Sequence, residues 1–339
     1  MDNSSNGSLL SPAEIAQFAS DAGVKKAGLS WWRQLLLGVM AGMFIAIAGN
    51  GASIAGYSAS SVGIGKMLSG VLFGAGLLMV LLAGAELFTG NCLMAISVLD
   101  KKIRTSAMIK NWFFVYIGNA IGGIGYSFLM SFTTQLSMDG NKLAAYSINT
   151  AVSKCNLEFT NAFVMGIFCN VLVCIAVWVS YASKDVVGKI VAMYFPIWVF
   201  VTAGYEHCIA NMYFVPMGIF AKSNPDYVQA AMNQYGLTSA QIDSLNWGNF
   251  AWNNLVPVTI GNIIGGSVFV GLVYWLVYIR KSKKKYANCR RFVSFIRSTI
   301  RRACSSGADI RSKIFDFLSR CNAIVDIKAA KTKLAPFCY

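Results

Sequence analysis

The sequence predicts an all-α membrane protein of six transmembrane helices, arranged as two inverted three-helix repeats with the second and fifth helices broken. Three observations carry that expectation. Only 13% of the 339 residues are charged, against roughly 25% in soluble domains. Stretches apolar enough to span a bilayer recur six times. Two pairs of short motifs reappear in the second half of the chain at fixed offsets.

Residues 1–30 form a polar opening, "MDNSSNGSLLSPAEIAQFASDAGVKKAG" and its continuation. It is too long ahead of the first apolar run to read as a secretory leader. Apolar segments follow at about 32–55, 67–99, 109–135, 159–181, 186–220 and 253–279. A span takes about 20 such residues, so each segment crosses once. The second and fifth are too long for one plain span, and both are interrupted by glycine and charge, as "LAGAELFTGN" and "TAGYEHCIAN".

The loops set the orientation. "DKKIRTSAMIK" after segment 2 carries four basic residues, and "SKDVVGK" after segment 4 carries two. Residues 280–339 hold sixteen of the 29 Lys and Arg but three of the 14 Asp and Glu, so they account for +13 of the formal +15. The loops at 136–158 and 221–252 have no such excess. The positive-inside rule then places both termini in the cytoplasm. The expected organisation is a cytoplasmic N-terminal segment at 1–30, a six-helix transmembrane domain at 31–280 and a basic cytoplasmic tail at 281–339.

The repeats supply the internal plan. Gly84, Glu86 and Asn91 match Gly204, Glu206 and Asn211 at an offset of 120, and "IGNAIGG" at 117–123 matches "IGNIIGG" at 260–266 at an offset of 143. Three crossings per unit force the second copy to insert upside down, a plan in which the site lies at the midplane between broken helices. Backbone left unpaired in hydrocarbon costs several kcal/mol per group, so a break survives only where protein buries it or a cavity wets it. Each half-helix beyond a break presents a positive end of about half a charge, and two such ends at the midplane suit an anion. The plain alternative is a pair of kinked helices without a pore. Nine cysteines are scattered with no C-x-x-C pair; those in apolar segments read as packing residues, and no cofactor or metal is expected.

"AGAELFTGN", "GYEHCIANMYFVPMGI" and "PVTIGNIIGG" closely resemble the formate–nitrite transporter family of pentameric anion channels, formate channels above all. The resemblance covers residues 10–280 and leaves the basic tail outside. It implies a homopentamer of aquaporin-like protomers, each a channel domain with a central pore for formate and protons. It implies a mobile gating loop at Leu87, Phe88, Thr89 and Gly90, and a pore-facing histidine, His207. Apolar constrictions fall on Phe73, Leu77, Phe200 and Val173, and an anion-attracting vestibule on Lys154 and Asn170. Cys208 stands where the family often has serine.

Physics supports His207 independently. A bare carboxylate loses several kcal/mol or more on entering a narrow apolar passage. Imidazole, with an unperturbed pKa of about 6.5, is the side chain best placed to give an anion a proton or a charge-assisted hydrogen bond. His207 is the only histidine in the chain. An ionisable residue at membrane depth is read as functional, although a lone histidine more commonly completes a core. Glu86 and Glu206 would repel anions as pore lining. They are read as structural carboxylates accepting hydrogen bonds from the backbone exposed at each break, and Asn119 and Asn262 as amides that tie that backbone down. Tyr205, Thr89 and Cys208 are further filter candidates.

The tail alternates basic and apolar residues, as in "CRRFVSFIRSTIRRACSS", and reads either as an amphipathic surface binding anionic lipid or as a solvated extension. Nucleic acid is not an expected partner. The reading is a multi-pass protein of the plasma membrane carrying formate or a similar weak-acid anion, coupled to protons through His207. Nitrite, hydrosulfide, acetate and lactate are alternatives in the same chemical class. A neutral-solute pore lacks its paired Asn-Pro-Ala motifs here, and a membrane enzyme lacks a nucleophile partnered to His207, so no enzymatic activity is expected.

Overall fold

The computed structural model describes residues 9–280, and every regular element among them is a helix. The basic tail expected at 281–339 lies outside the described residues, as do the first eight. Ser11 starts α1 (Pro12–Ala27) with a capping box: its backbone N–H donates to Glu14 Oε2 at 2.8 Å, and its hydroxyl accepts from the Glu14 N–H. The Ser11 hydroxyl, donating to Glu14 Oε2 at 2.6 Å, and then the Ser11 N–H hold the Glu14 carboxyl below the usual carboxylate range. The buried stripe of α1, Ile15, Ala16, Ala19 and Gly23, recurs at helical spacing and seats it against the rest of the protein.

Six helices are long and apolar enough to cross a membrane: α2 (Trp31–Gly56), α3 (Val62–Ala83), α5 (Thr105–Met130), α7 (Phe159–Ala182), α8 (Val186–Ala203) and α12 (Trp247–Arg280). Two shorter apolar helices, α4 (Phe88–Leu99) and α9 (Cys208–Ala221), continue α3 and α8 beyond short non-helical breaks. Gly84 ends α3 at φ +79° and Gly204 ends α8 at φ +73°. A side chain is disfavoured in that left-handed conformation, which is why glycine stops both helices.

The expected loops differ from what the structure holds. The stretch read as a loop at 136–158 carries α6 (Met138–Cys155), and 221–252 carries α10 (Pro225–Tyr235) and α11 (Ser239–Ser244). Hydropathy passes over α6 because it is amphipathic. Its buried residues Leu143, Ala144, Ile148, Ala151, Val152 and Cys155 fall on one helical face.

The halves pack alike. A Cβ added at Gly118 or Gly122 of α5 would lie 2.4 Å from the Leu35 carbonyl oxygen or 2.1 Å from that of Val39, on α2. On α12, Gly261 and Gly265 stand equally close to Phe163 and Ile167 of α7, at 2.3 and 2.2 Å. Glycine lets these backbones touch; any larger residue would have to part the helices. α3 lies against α8, which brings the two breaks together in the middle of the protein.

Candidate functional site

Each break is held by one asparagine. The Phe88 N–H donates to Asn119 Oδ1 at 2.9 Å, while Asn119 Nδ2 donates to the carbonyls of Gly38 (2.7 Å) and Glu86 (2.9 Å). In the second half the Cys208 N–H donates to Asn262 Oδ1 at 3.0 Å, and Asn262 Nδ2 donates to Gly166 (2.7 Å) and Glu206 (3.0 Å). One amide thus satisfies two backbone groups that the break leaves open and ties them to a carbonyl of a neighbouring helix, α2 or α7. This role of Asn119 and Asn262 matches the sequence reading.

The carboxylates do something different from what the sequence suggests. Glu86 Oε1 accepts from Lys26 Nζ at 2.7 Å and its Oε2 from Asn91 Nδ2 at 2.6 Å. Glu206 Oε1 accepts from Lys154 Nζ at 2.7 Å, and its Oε2 from Asn211 and Asn254 at 2.7 and 3.2 Å. Neither takes backbone N–H bonds, because the asparagines have already claimed that backbone. Glu86 and Glu206 are buried, and a buried carboxylate is tolerable only with a cation and further hydrogen bonds. Asn91 also donates to Asn111 Oδ1 (2.8 Å), and Asn211 to Asn254 Oδ1 (2.6 Å). The network therefore repeats, except that Asn254 Nδ2 also donates to Glu206 whereas the matching Asn111 Nδ2 has no such bond to Glu86.

The repeat departs at the residues between. Leu87 precedes α4 with no side-chain cap, whereas its counterpart His207 caps α9 by accepting the Ala210 N–H on Nδ1 at 3.0 Å. His207 Nε2 stands 2.8 Å from Thr89 Oγ1. A nitrogen that accepts a hydrogen bond carries no proton, so the neutral ring holds its proton on Nε2 and donates it to Thr89 Oγ1. The Thr89 hydroxyl proton is then free to point elsewhere. The Phe73 and Phe200 rings meet edge-on at 5.6 Å, and Phe200 lies 5.9 Å from the imidazole.

Two cavities approach this point. A cavity of about 460 Å³ is lined by Lys66, Phe73, Lys154, Phe200, Tyr205, Glu206 and His207 among others. A smaller one, about 20 Å³, is lined by Lys26, Leu77, Val80, Leu87, Gly90 and Val177 among others. The first takes its α3 residues from Lys66 to Phe73 and the second from Leu77 to Leu81, so they lie on opposite sides of one helical turn. Thr89 between them is completely buried and lines neither cavity.

Phe73, Phe200 and His207 thus line one cavity and Leu77, Leu87 and Gly90 the other, while Thr89 and Phe88 are buried between. Val173 packs in the core without lining either cavity. Asn170, expected in the vestibule, is fully buried and donates to the carbonyls of Thr89 (3.2 Å) and Asn262 (2.6 Å). Its position on α7 between the two breaks draws it inward. Cys208 is likewise buried outside both linings, because its N–H is turned to Asn262. Sequence reasoning missed Lys26, Lys66, Asn111 and Asn254. The pairs Asn111/Asn254 and Asn119/Asn262 share the offset of 143, a signal the sequence contained.

The formate/nitrite transporter family model matches residues 13–276. The formate channel FocA of Escherichia coli K12 is 35% identical over 278 residues, covering 81% of this chain and 96% of that protein. A probable formate transporter of Methanothermobacter thermautotrophicus is 33% identical over 296 residues, 81% of this chain and 99% of its own length. Among solved structures, a pentameric formate channel with formate bound superposes with a TM-score of 0.65 at 38% identity, covering 74% of this chain and 98% of that one.

Proposed function

The chain belongs to the formate/nitrite transporter family, and from that membership we propose that it carries formate across a membrane through a pore in each protomer of a homopentamer. The observation that carries the reading is the Thr89–His207 contact, which joins the two breaks between two opposed cavities. An anion reaching this point from the larger cavity meets the hydrophobic Phe73–Phe200 pair, then a hydroxyl whose proton is free to donate. In an apolar passage such a hydrogen bond offsets part of the desolvation cost.

Proton coupling runs through His207 in this reading, with one condition set by its geometry. The neutral ring has a single proton, and giving it up would leave an imidazolate. Transfer to the anion therefore starts from the imidazolium, whose second proton must sit on Nδ1. Nδ1 is taken by the Ala210 N–H, so the ring has to turn away from α9 before it can be protonated. Gating falls to residues 86–91: α4 lacks the side-chain cap that His207 supplies to α9, and Leu87 and Phe88 are the groups that would swing aside. The second half is inverted relative to the first, both termini face the cytoplasm, and the membrane is the plasma membrane. The channel domain ends near Arg280.

The test is liposome flux of the purified chain with formate, nitrite, acetate and lactate at two pH values. Wild type should move formate faster as an inward proton gradient is imposed. His207→Asn should lose that acceleration while still passing anions, and equal acceleration in the mutant would remove the proton role.

A further inference from the structure

Among the described residues lining the larger cavity, the duplicated network leaves one cation over. Of the charged groups lining the larger cavity, Lys154 is taken: its Nζ is 2.7 Å from Glu206 Oε1 and 5.6 Å from the Phe214 ring centre. Together Lys154 and Glu206 present a dipole, whose field falls off faster than that of a free charge. Lys66 on α3 is different. It is exposed, lines the same cavity, and among the described residues has no ion pair or hydrogen bond. Its ammonium lies over the second break: a Cβ added at Gly204 would come within 2.9 Å of Nζ.

The opposite cavity has no equivalent. Among the described residues its one lining cation, Lys26, is bound to Glu86 at 2.7 Å, as Lys154 is to Glu206. The position 120 residues after Lys66 is Val186. Lys66 is therefore the place where the charge pattern of the two halves stops matching.

We propose that Lys66, rather than Lys154, is the anion-collecting cation of the larger cavity, raising the capture rate of small monovalent anions at that mouth over the other. The assignment rests on the anion-transport reading above. An uncompensated charge in a cleft with low-dielectric walls concentrates counter-ions and raises association rates by roughly ten- to a thousand-fold, with strong dependence on salt. Lys66 is not part of the Thr89–His207 contact, so its effect belongs to capture and not to passage. That separates it in kinetics: loss of uniform binding raises KM and leaves the maximal rate alone.

The experiment measures initial rates of formate uptake against concentration in proteoliposomes, at low and high ionic strength set with an impermeant salt. Lys66→Met should raise KM about three- to ten-fold at low salt with the maximal rate near wild type, and the gap should close at high salt. Lys66→Arg should restore wild-type behaviour, and Lys66→Glu should be worse than Lys66→Met. A wild type that moves no anion overturns the transport reading and this assignment with it. Normal wild-type transport with an unchanged KM in Lys66→Met overturns this assignment alone. So does a fall in maximal rate with the salt dependence intact, which marks a structural residue. Lys66→Gln, judged by the same criteria, covers the case in which the methionine variant elutes abnormally on gel filtration.

Discussion

Thr89 Oγ1 and His207 Nε2 lie 2.8 Å apart although 118 residues separate them in the chain. With Nδ1 occupied by the Ala210 N–H, only the Nε2–H tautomer fits. Because His207 is the only histidine, nitrogen-15 labelling of histidine should show a single ring at neutral pH, protonated on Nε2 and bare on Nδ1. A dominant Nδ1–H form would contradict the geometry. Replacing Thr89 with valine keeps the shape and removes the hydroxyl, so formate flux should fall about ten-fold or more, a barrier change of about 1.4 kcal/mol. Thr89→Ser should retain most of the flux.

The asparagine clamps should be the most sensitive positions for folding. Asn119→Ala strips the Phe88 N–H and Glu86 carbonyl of their partner, and Asn262→Ala does the same to the Cys208 N–H and Glu206 carbonyl. At roughly 1–3 kcal/mol for each buried group left unpaired, either change should sharply lower the yield of folded protein. Fluorescence-detected gel filtration after a heating series measures this. A variant as stable as wild type would show that water can replace the clamp.

Lys154 and Glu206 should behave as a unit. Lys154→Met alone leaves a buried carboxylate without its cation, which costs roughly 3–5 kcal/mol. The double variant Lys154→Met with Glu206→Gln keeps hydrogen bonding to Asn211 and Asn254 and should recover much of that loss in the same thermal assay. Additive losses would show that the two residues act separately.

Gly84 and Gly90 look alike in the sequence and should respond oppositely to alanine. Gly84 has φ +79° and open space around it, so Gly84→Ala pays only the left-handed backbone cost, roughly 1–2 kcal/mol. Gly90 lies within helical turns, and its added Cβ would meet Val177 at an ordinary 3.5 Å. Gly90→Ala should therefore stabilise α4 by about 1 kcal/mol and slow the opening of the gate. Thermal midpoints and flux rates of the two variants test this, and equal destabilisation would refute it.

Truncation after Arg280 should leave formate flux and the oligomeric state unchanged, since the family match ends at residue 276. Flux from the truncated chain in liposomes decides the matter: a protein that assembles normally but does not transport would make the tail part of the gate.

Much of this was legible before any coordinates. Six spans and two breaks follow from hydropathy and glycine placement, because both are local properties of the chain. Asn119 and Asn262 were legible because duplication wrote them twice in identical surroundings. The partners of Glu86 and Glu206 were not. Lys26 and Lys154 sit 60 and 52 residues before their carboxylates, on amphipathic helices that hydropathy treats as loop, and no local pattern ties a cation to so distant an acid. Asn170 was misplaced for a related reason: a polar residue on an apolar helix can face either a cavity or a neighbouring backbone, and periodicity does not distinguish them.

The closed polar networks also bear on how the chain comes off the ribosome. Lys26, Glu86, Asn91, Asn111 and Asn119 all lie within the first 119 residues, and Lys154, Glu206, Asn211, Asn254 and Asn262 all follow residue 153. Each buried carboxylate is neutralised by groups from its own half. The first three spans can therefore settle in the bilayer with no buried carboxylate waiting for later sequence. What the second half adds is contact between halves, such as Thr89 with His207 and Tyr116 with Thr259. The order of synthesis thus makes the contacts between the halves the last part of the protein to form, and a chain stalled midway already holds its buried Glu86 paired with Lys26.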